Sequence, residues 1–209
     1  MKKIVLYTLV SFALMGCGGG GSGASGESND PATGGSGTPS QNTSQVFDAP
    51  VIDTVLKQAY LDAINNARAI QQDCGVKGIK GAVSALEWSD ELYAAAYEHS
   101  DDLAESDTFA HDGSGTSSDW TAQVKELGRG STFVERIKNN GYTNYKTIGE
   151  NIVAGTNRDT AQIAIDAWLD SDGHCANLMN TDYTEIGMGH VEKAGTDYIH
   201  YWTQNFGAR

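Results

Sequence analysis

Apolar residues recur at the three- and four-residue spacing of an amphipathic helix in four stretches of the chain. The first stretch stops near Asp73-Cys74-Gly75. Its apolar positions are Ile52, Val55, Leu56, Ala59, Ala63, Ile64 and Ala67. The second begins after Ser89, with Asp90 and Glu91 in its first turn, where acidic side chains favour a helix N-terminus. Because His99 shares one face with apolar residues of this helix, we expect it to be a buried, hydrogen-bonded histidine.

The other two helical stretches carry capping signals. Thr132 and Glu135 fit a capping box, in which each side chain bonds the backbone amide of the other residue, and they predict a helix that starts at Thr132. The fourth helix is predicted over residues 159–169, with Asp159 and Gln162 as its cap.

Strand patterns come late in the chain. Residues 148–154 form a short candidate strand, and residues 185–191 and 198–206 form two longer ones joined through Ala194-Gly195-Thr196, a predicted hairpin. Helices that precede strands favour an α+β arrangement in which the helices cover an antiparallel sheet.

The chain begins with a signal-peptide pattern. Lys2-Lys3 precedes an apolar run over residues 4–15, too short to cross a bilayer, which takes about 20 apolar residues. The run ends in Leu-Met-Gly-Cys at residues 14–17, which resembles the lipobox of bacterial lipoproteins, whose cysteine is acylated and becomes the new N-terminus. We therefore predict a signal peptide over residues 1–16 and lipidation of Cys17; the alternative is an ordinary secretory signal with an incidental cysteine.

Residues 18–45 contain no large apolar side chain and cannot bury a core, so residues 17–45 are interpreted as a lipidated cysteine and a flexible tether. Residues 46–209 are of the right length for one domain. The absence of an aspartate after Cys17, where Gly18 stands, resembles lipoproteins sorted outward in bacteria with two membranes. The predicted location is the cell envelope, at the outer membrane or the cell surface.

The charge of the chain excludes one class of partner. The formal net charge is −13, and loss of the two N-terminal lysines would make it more negative. Such a chain lacks the clustered Lys and Arg that nucleic acid requires, and anionic membrane surfaces repel it. Membrane attachment is therefore expected to depend on the lipid.

Three cysteines in an exported chain need an explanation. If Cys17 carries lipid, Cys74 and Cys175 remain as a pair in an oxidising compartment, where a disulfide is favoured. The competing interpretation makes Cys175 a catalytic thiol, since it follows His174 directly.

A series of short motifs then carries a family resemblance. In chain order they are Asn65-Asn66-Ala67-Arg68, Leu86-Glu87-Trp88, His99-Ser100-Asp101-Asp102-Leu103-Ala104, Phe109-Ala110-His111, Gly141-Tyr142, Gly149-Glu150-Asn151-Ile152, Gly173-His174-Cys175-Ala176-Asn177-Leu178-Met179, Tyr183-Thr184-Glu185-Ile186-Gly187 and Tyr201-Trp202-Thr203-Gln204-Asn205-Phe206-Gly207. Their order and spacing resemble the CAP superfamily of cysteine-rich secretory proteins, antigen 5 and plant pathogenesis-related proteins. The resemblance covers nearly all of residues 50–207 and implies an α-β-α sandwich with a central antiparallel sheet and an open cleft.

The resemblance also implies a site. The two cleft histidines of the family match His111 and His174, and the glutamate of its Gly-Glu-Asn motif matches Glu150. In several members the two histidines bind a divalent metal, often zinc, a metal that neutral imidazoles suit. A metal cofactor, most simply zinc, is therefore expected at His111 and His174. Asn177 is expected in the same cleft.

A second family glutamate, which follows the first histidine in many members, has no clear match here. Glu185 is one candidate to replace it in the cleft; the alternative is a residue at a strand end that pairs with a backbone amide or with Arg136. Residues 114–131 form a polar insert longer than the usual loop of the family, which we expect to border the site.

Three classes of function follow from these observations. The favoured one is a binding module, whose cleft holds a metal and a small hydrophobic or lipid-like ligand, or a protein partner, without breaking a bond. The second is a metal-dependent hydrolase of peptides or esters with Glu150 as general base, although the sequence has no HExxH motif. The third is a structural or adhesive envelope protein.

Overall fold

The structure is a computed structural model that describes residues 46–209. The predicted signal peptide, the lipidation of Cys17 and the tether of residues 18–45 lie outside the described residues and stay predictions. The helices are α1 (Thr54–Arg68), α2 (Asp90–Ser106), α3 (Trp120–Val124), α4 (Phe133–Asn139), α5 (Ala161–Leu169) and α6 (Asp172–Leu178). The strands are β1 (Gln72–Asp73), β2 (Ile79–Lys80), β3 (Glu87–Trp88), β4 (Thr147–Gly155), β5 (Glu185–Glu192) and β6 (His200–Ala208). None of the described helices is both long and apolar enough to cross a membrane.

The main sheet has four strands in the order β3-β5-β6-β4. β6 pairs antiparallel with both β4 and β5, which confirms the predicted hairpin. The short β3 pairs with β5 in parallel. The sheet is therefore antiparallel, as expected, over β5, β6 and β4, and parallel only at the β3 edge. A separate antiparallel pair joins β1 to β2.

Helices cover both faces of this sheet, as the α+β sandwich prediction requires. On one face α2 packs against β5 and β6, where a Cβ on Gly187 or Gly189 would collide with the α2 backbone at Tyr93 or Tyr97. On the other face α1, α5 and α6 build the main core. That core includes Ile64, Trp168, Leu178, Ile186 and Phe206, all buried.

Local signals in the sequence account for most helix starts. The side chain of Ser89 accepts a hydrogen bond from the backbone of Leu92 at the start of α2, and the capping box of Thr132 and Glu135 is present at α4. The cap of α5 differs from the prediction, because the Thr160 side chain performs the role assigned to Asp159.

The first helix also differs from its predicted face. α1 ends at Arg68, before the predicted stop, and Val55 and Leu56 are exposed. Its buried face begins at Tyr60 and continues through Ile64, so the apolar residues of the first turn do not reach the core.

A disulfide joins Cys74 to Cys175, with 5.4 Å between the Cα atoms, and confirms the pairing that the cysteine count favours. It rules out the competing interpretation, because a sulfur atom in a disulfide cannot act as a free thiol. The bond holds the middle of α6 against the short 3-10 turn at Gly75–Lys77.

Candidate functional site

Two histidines from distant parts of the chain face each other in the structure. His111 lies in the loop that follows α2, and His174 lies in the first turns of α6. Their ring centroids are 6.4 Å apart. The structure therefore brings together the two residues that the family resemblance singled out.

Glu150 lies beside them, in the middle of β4, with a side chain that is only 1% exposed. Its Oε1 atom is 2.9 Å from Nδ1 of His111. The guanidinium of Arg136, from α4, donates to both carboxylate oxygens at 3.3 and 3.0 Å. The same guanidinium donates to the backbone oxygens of His111 and Ser131, each at 2.8 Å. Arg136 thus ties the loop of the first histidine to the carboxylate.

Arg136 also fixes the charge of Glu150. Burial by itself raises the pKa of this carboxyl, but the positive charge of Arg136 and the hydrogen bond from His111 lower it to about 2. Glu150 is therefore ionised at neutral pH and can only accept hydrogen bonds. Glu150 therefore accepts a hydrogen bond from Nδ1 of His111, and in the neutral tautomer that donates from Nδ1, Nε2 of this half-exposed side chain carries the free lone pair.

A third histidine lies beneath this group. His99 is fully buried, and its Nε2 atom is 3.0 Å from the backbone oxygen of Ala110. Burial, together with the charge of Arg136, lowers the pKa of His99 to about 3, so its imidazole is neutral. The sequence prediction of a buried, hydrogen-bonded histidine is confirmed.

The chemistry of the two facing imidazoles suits a transition metal. Partial burial and the neighbouring His111 lower the pKa of His174, which keeps this ring neutral and able to coordinate. Within residues 46–209, no group of three or more His, Cys, Asp or Glu side chains is arranged to hold a metal. The described part of the chain therefore offers two nitrogen donors here, while Glu150 is engaged by Arg136.

Asn177 connects the two elements of the site. Its side-chain amide donates to the backbone oxygen of Glu150 at 3.1 Å and to the side chain of Asn151 at 2.9 Å. The hydroxyl of Tyr183 donates to its Oδ1 atom at 2.8 Å. Asn177 therefore holds α6 against β4 and so sets the distance between His174 and the carboxylate.

The structure does not bring Glu185 into this group. The hydroxyl of Tyr142 donates to its carboxylate at 2.6 Å, and Nε of Arg209 lies 3.8 Å away. β6 separates β5, which carries Glu185, from β4, which carries Glu150. Arg136, considered as a partner of Glu185, pairs instead with Glu150.

The sequence analysis did not identify Arg136 as a residue of the site. The side chain is only 1% exposed, yet it lies in a short helix directly after the capping Glu135, and nothing in the local sequence marks an arginine there as buried. An arginine so placed is normally solvated, and only the long-range contact with β4 reveals its role.

A cavity of about 470 Å³ opens next to His111. Its lining includes Glu150 and the apolar side chains of Phe133 and Val134 at the start of α4. Asp112 and Thr132, which flank the insert of residues 114–131, also line it, whereas no insert residue does. Trp120 of the insert packs against Phe47 instead, with the ring centroids 6.2 Å apart.

Comparison with known proteins shows the family of the chain. The sequence model described as CAP, cysteine-rich secretory protein family, matches residues 61–206. The uncharacterized membrane protein YlbC of Bacillus subtilis is 29% identical over 155 residues, which are 74% of this chain and 35% of YlbC. The uncharacterized protein YkwD of the same bacterium is 40% identical over 77 residues, or 37% of this chain and 26% of YkwD. The chain thus spans about a third and a quarter of the lengths of these relatives.

Solved structures share the fold. An extracellular protein containing a SCP domain from Bacillus anthracis aligns with a TM-score of 0.52 and 23% identity, over 78% of this chain and 45% of that protein. An outer surface protein of Borrelia burgdorferi aligns with a TM-score of 0.52 and 24% identity, over 76% of this chain and 96% of that protein. At these identities the likeness shows the fold alone.

Proposed function

The chain belongs to the CAP, or cysteine-rich secretory protein, family, and we propose that its cleft binds a divalent metal and a small apolar or lipid-like ligand without catalysis. The observation that carries the proposal is the pair of facing imidazoles beside a buried, ionised carboxylate. His111 and His174 are the proposed metal donors, and zinc is the metal that their chemistry favours.

The hydrogen bond between His111 and Glu150 supports this assignment. Histidines that ligate a metal usually donate their other ring hydrogen to a carboxylate or carbonyl group, which fixes the tautomer and the orientation of the ring. Here Nδ1 donates to Glu150, so Nε2 remains as the donor atom. Two imidazoles on one zinc ion have ring centroids roughly 5–6 Å apart, and a small rotation of either side chain closes the observed 6.4 Å to that range.

The apolar part of the cavity supports the second half of the proposal. Phe133 and Val134 offer apolar surface next to the proposed metal position, and pockets of this kind hold small molecules by burying apolar area. The polar groups at His111 and Asp112 would orient a ligand that carries a polar end.

The state of Glu150 disfavours the hydrolase alternative. An effective general base has a pKa near the working pH. Burial by itself would raise the pKa of Glu150, but the charge of Arg136 outweighs this effect and the pKa is lowered to about 2. Both of its oxygens already accept hydrogen bonds from protein groups. Turnover of a peptide or ester library that disappears in a Glu150→Gln variant would select the hydrolase.

Export is proposed on the N-terminal sequence and on the named relatives. The predicted signal peptide and the lipid on Cys17 would hold the domain at the cell envelope. The solved proteins of similar fold include one named as extracellular and one named as an outer surface protein. The Cys74–Cys175 disulfide is in keeping with an oxidising compartment.

The metal half of the proposal is tested by zinc titration of the full chain, followed by native mass spectrometry and calorimetry. One zinc ion is expected to bind, and binding should disappear in a His111→Ala, His174→Ala double variant. The matched control is a His190→Ala, His200→Ala variant, since these two rings also lie close together, 3.3 Å between nitrogens. Zinc binding that persists without the cleft pair, or that is lost with the control pair, would contradict the assignment.

A further inference from the structure

A closed ring of four oxygen atoms lies where the insert meets α2. The side-chain oxygens of Ser114, Thr116 and Ser118 alternate along the loop, and the Oδ1 atom of Asp102 from α2 completes the ring. The separations around it are 2.6 Å from Asp102 to Ser114, 2.8 Å to Thr116, 2.8 Å to Ser118 and 2.6 Å back to Asp102.

The hydroxyl hydrogens of the ring are too few to form a hydrogen bond at each of its four contacts. Each hydroxyl supplies one hydrogen, and an ionised carboxylate supplies none, so three hydrogens must serve four short oxygen–oxygen contacts. The hydroxyls of Ser114 and Ser118 both donate their hydrogens to Oδ1 of Asp102. Thr116 can then bond only one of its two neighbours, which leaves two oxygens 2.8 Å apart with no hydrogen between them. A cation that accepts lone pairs from all four atoms removes this conflict.

The surroundings are negative and open to solvent on one side. Asp102 is 1% exposed, and within residues 46–209 it forms no ion pair with a lysine or arginine. A cavity of about 380 Å³ borders the ring, and its lining includes Asp101, Glu105, Thr116 and Ser118. Partial burial and the charges of Glu105 and Asp102 raise the pKa of Asp101, and Lys193, which pairs with Glu105 at 2.7 Å, offsets part of this effect.

We propose that this oxygen ring is a calcium site, formed by Asp102, Ser114, Thr116 and Ser118. The donors are all oxygen, which hard cations prefer, and Ca²⁺ accepts irregular shells of 6–8 oxygens at about 2.3–2.6 Å, whereas Mg²⁺ demands near-ideal octahedral geometry. Neighbouring oxygens around such an ion lie about 3 Å apart, so the ring of 2.6–2.8 Å needs to expand by only a few tenths of an ångström. Water from the adjoining cavity completes the shell.

The site would order the loop that leads out of the cleft. It joins α2 to residues 114–118, three residues beyond His111. Calcium sites of extracellular modules have dissociation constants of about 10⁻⁴–10⁻³ M, which suits a protein at the cell surface. The proposal does not depend on a metal at the cleft histidines.

The test measures Tm of the full chain, in the His111→Ala, His174→Ala background, without and with millimolar Ca²⁺ or Mg²⁺. Ca²⁺ is expected to raise Tm because it binds only the folded chain. A Thr116→Val variant keeps the shape of an exposed side chain but removes one ring oxygen, and it should lose the shift. The matched control is Ser117→Ala, which lines the same cavity outside the ring and should keep it.

Three results would overturn the proposal. The first is an unchanged Tm of the parent chain in Ca²⁺. The second is a shift that survives in both Thr116→Val and Ser118→Ala but disappears in an Asp101→Asn, Glu105→Gln variant, since the acidic face alone would then bind the ion. The third is a response to Mg²⁺ in place of Ca²⁺, which would remove the assignment to calcium.

Discussion

Arg136 is the residue on which the electrostatics of the cleft depend. It is 1% exposed and pairs with a carboxylate that is equally buried, so neither charge is solvated by water. Its remaining hydrogen bonds reach His111, just before the insert, and Ser131, the last residue of the insert. Removal of one member of such a pair leaves the other charge buried without compensation, which costs much more than the loss of a surface pair.

An Arg136→Met variant is therefore expected to lose about 3–5 kcal/mol of unfolding free energy, since Glu150 remains buried and unpaired. Urea denaturation followed by circular dichroism measures this loss. The control is Arg129→Met, which removes an exposed ion pair with Glu135 and should change stability far less. Equal losses in the two variants would show that the buried pair has no special role.

At the scale of elements, α6 is the helix whose position decides the site. It has only seven residues and carries His174, Cys175 and Asn177. The disulfide ties it to Cys74, and Asp172 at its start accepts a hydrogen bond from the backbone of Val76 at 3.0 Å. So short a helix is not stable by itself, so these connections, together with Asn177, hold His174 in front of His111.

A Cys74→Ala, Cys175→Ala variant is expected to lose about 2–5 kcal/mol of unfolding free energy. Zinc affinity should fall as well, because His174 is adjacent to the lost bond. Denaturation and calorimetry on the same samples measure the two effects. Cys17→Ala, outside the described residues, serves as control and should alter neither; unchanged zinc affinity in the double variant would show that the disulfide does not position His174.

At the scale of the whole molecule, several buried groups make the fold sensitive to acid. Burial lowers the pKa of His99 to about 3 and, together with His200, that of His190 to about 4. The pKa of Glu150 is lowered to about 2, since Arg136 outweighs the effect of burial. At each of these three groups the unfolded chain binds a proton more readily than the folded chain does, so a fall in pH favours unfolding.

The free energy of unfolding is therefore expected to be level from about pH 7 to about pH 9, where unfolded histidines are neutral and unfolded tyrosines are still protonated. It should fall as the pH drops below 6.5 toward the folded values of the two histidines, and again below 4.5 through Glu150. Urea denaturation between pH 7.5 and 4 measures this dependence. A His99→Leu variant should reduce the slope in that window by about 1.4 kcal/mol per pH unit, and an unchanged slope would contradict a neutral, buried His99.

Much of the fold and part of the site were predictable, for local reasons. The caps at Ser89 and Thr132 and the hairpin of β5 and β6 follow from residues within a few positions of each other. His111, His174 and Glu150 were identified because they stand in motifs whose order resembles a known family. α6 was not predicted, because seven residues with a glycine and an asparagine give no readable periodicity.

The sequence by itself determined where most helices and strands begin, which family the motifs resemble and which cysteines remain to pair. Only the tertiary structure decided that Arg136 neutralises Glu150, that Glu185 pairs with Tyr142, and that four oxygens from α2 and the insert converge. The physical reason is the distance along the chain between the residues that interact. Periodicity and capping report interactions within one or two turns, whereas these contacts join residues that only strand order and helix packing bring together.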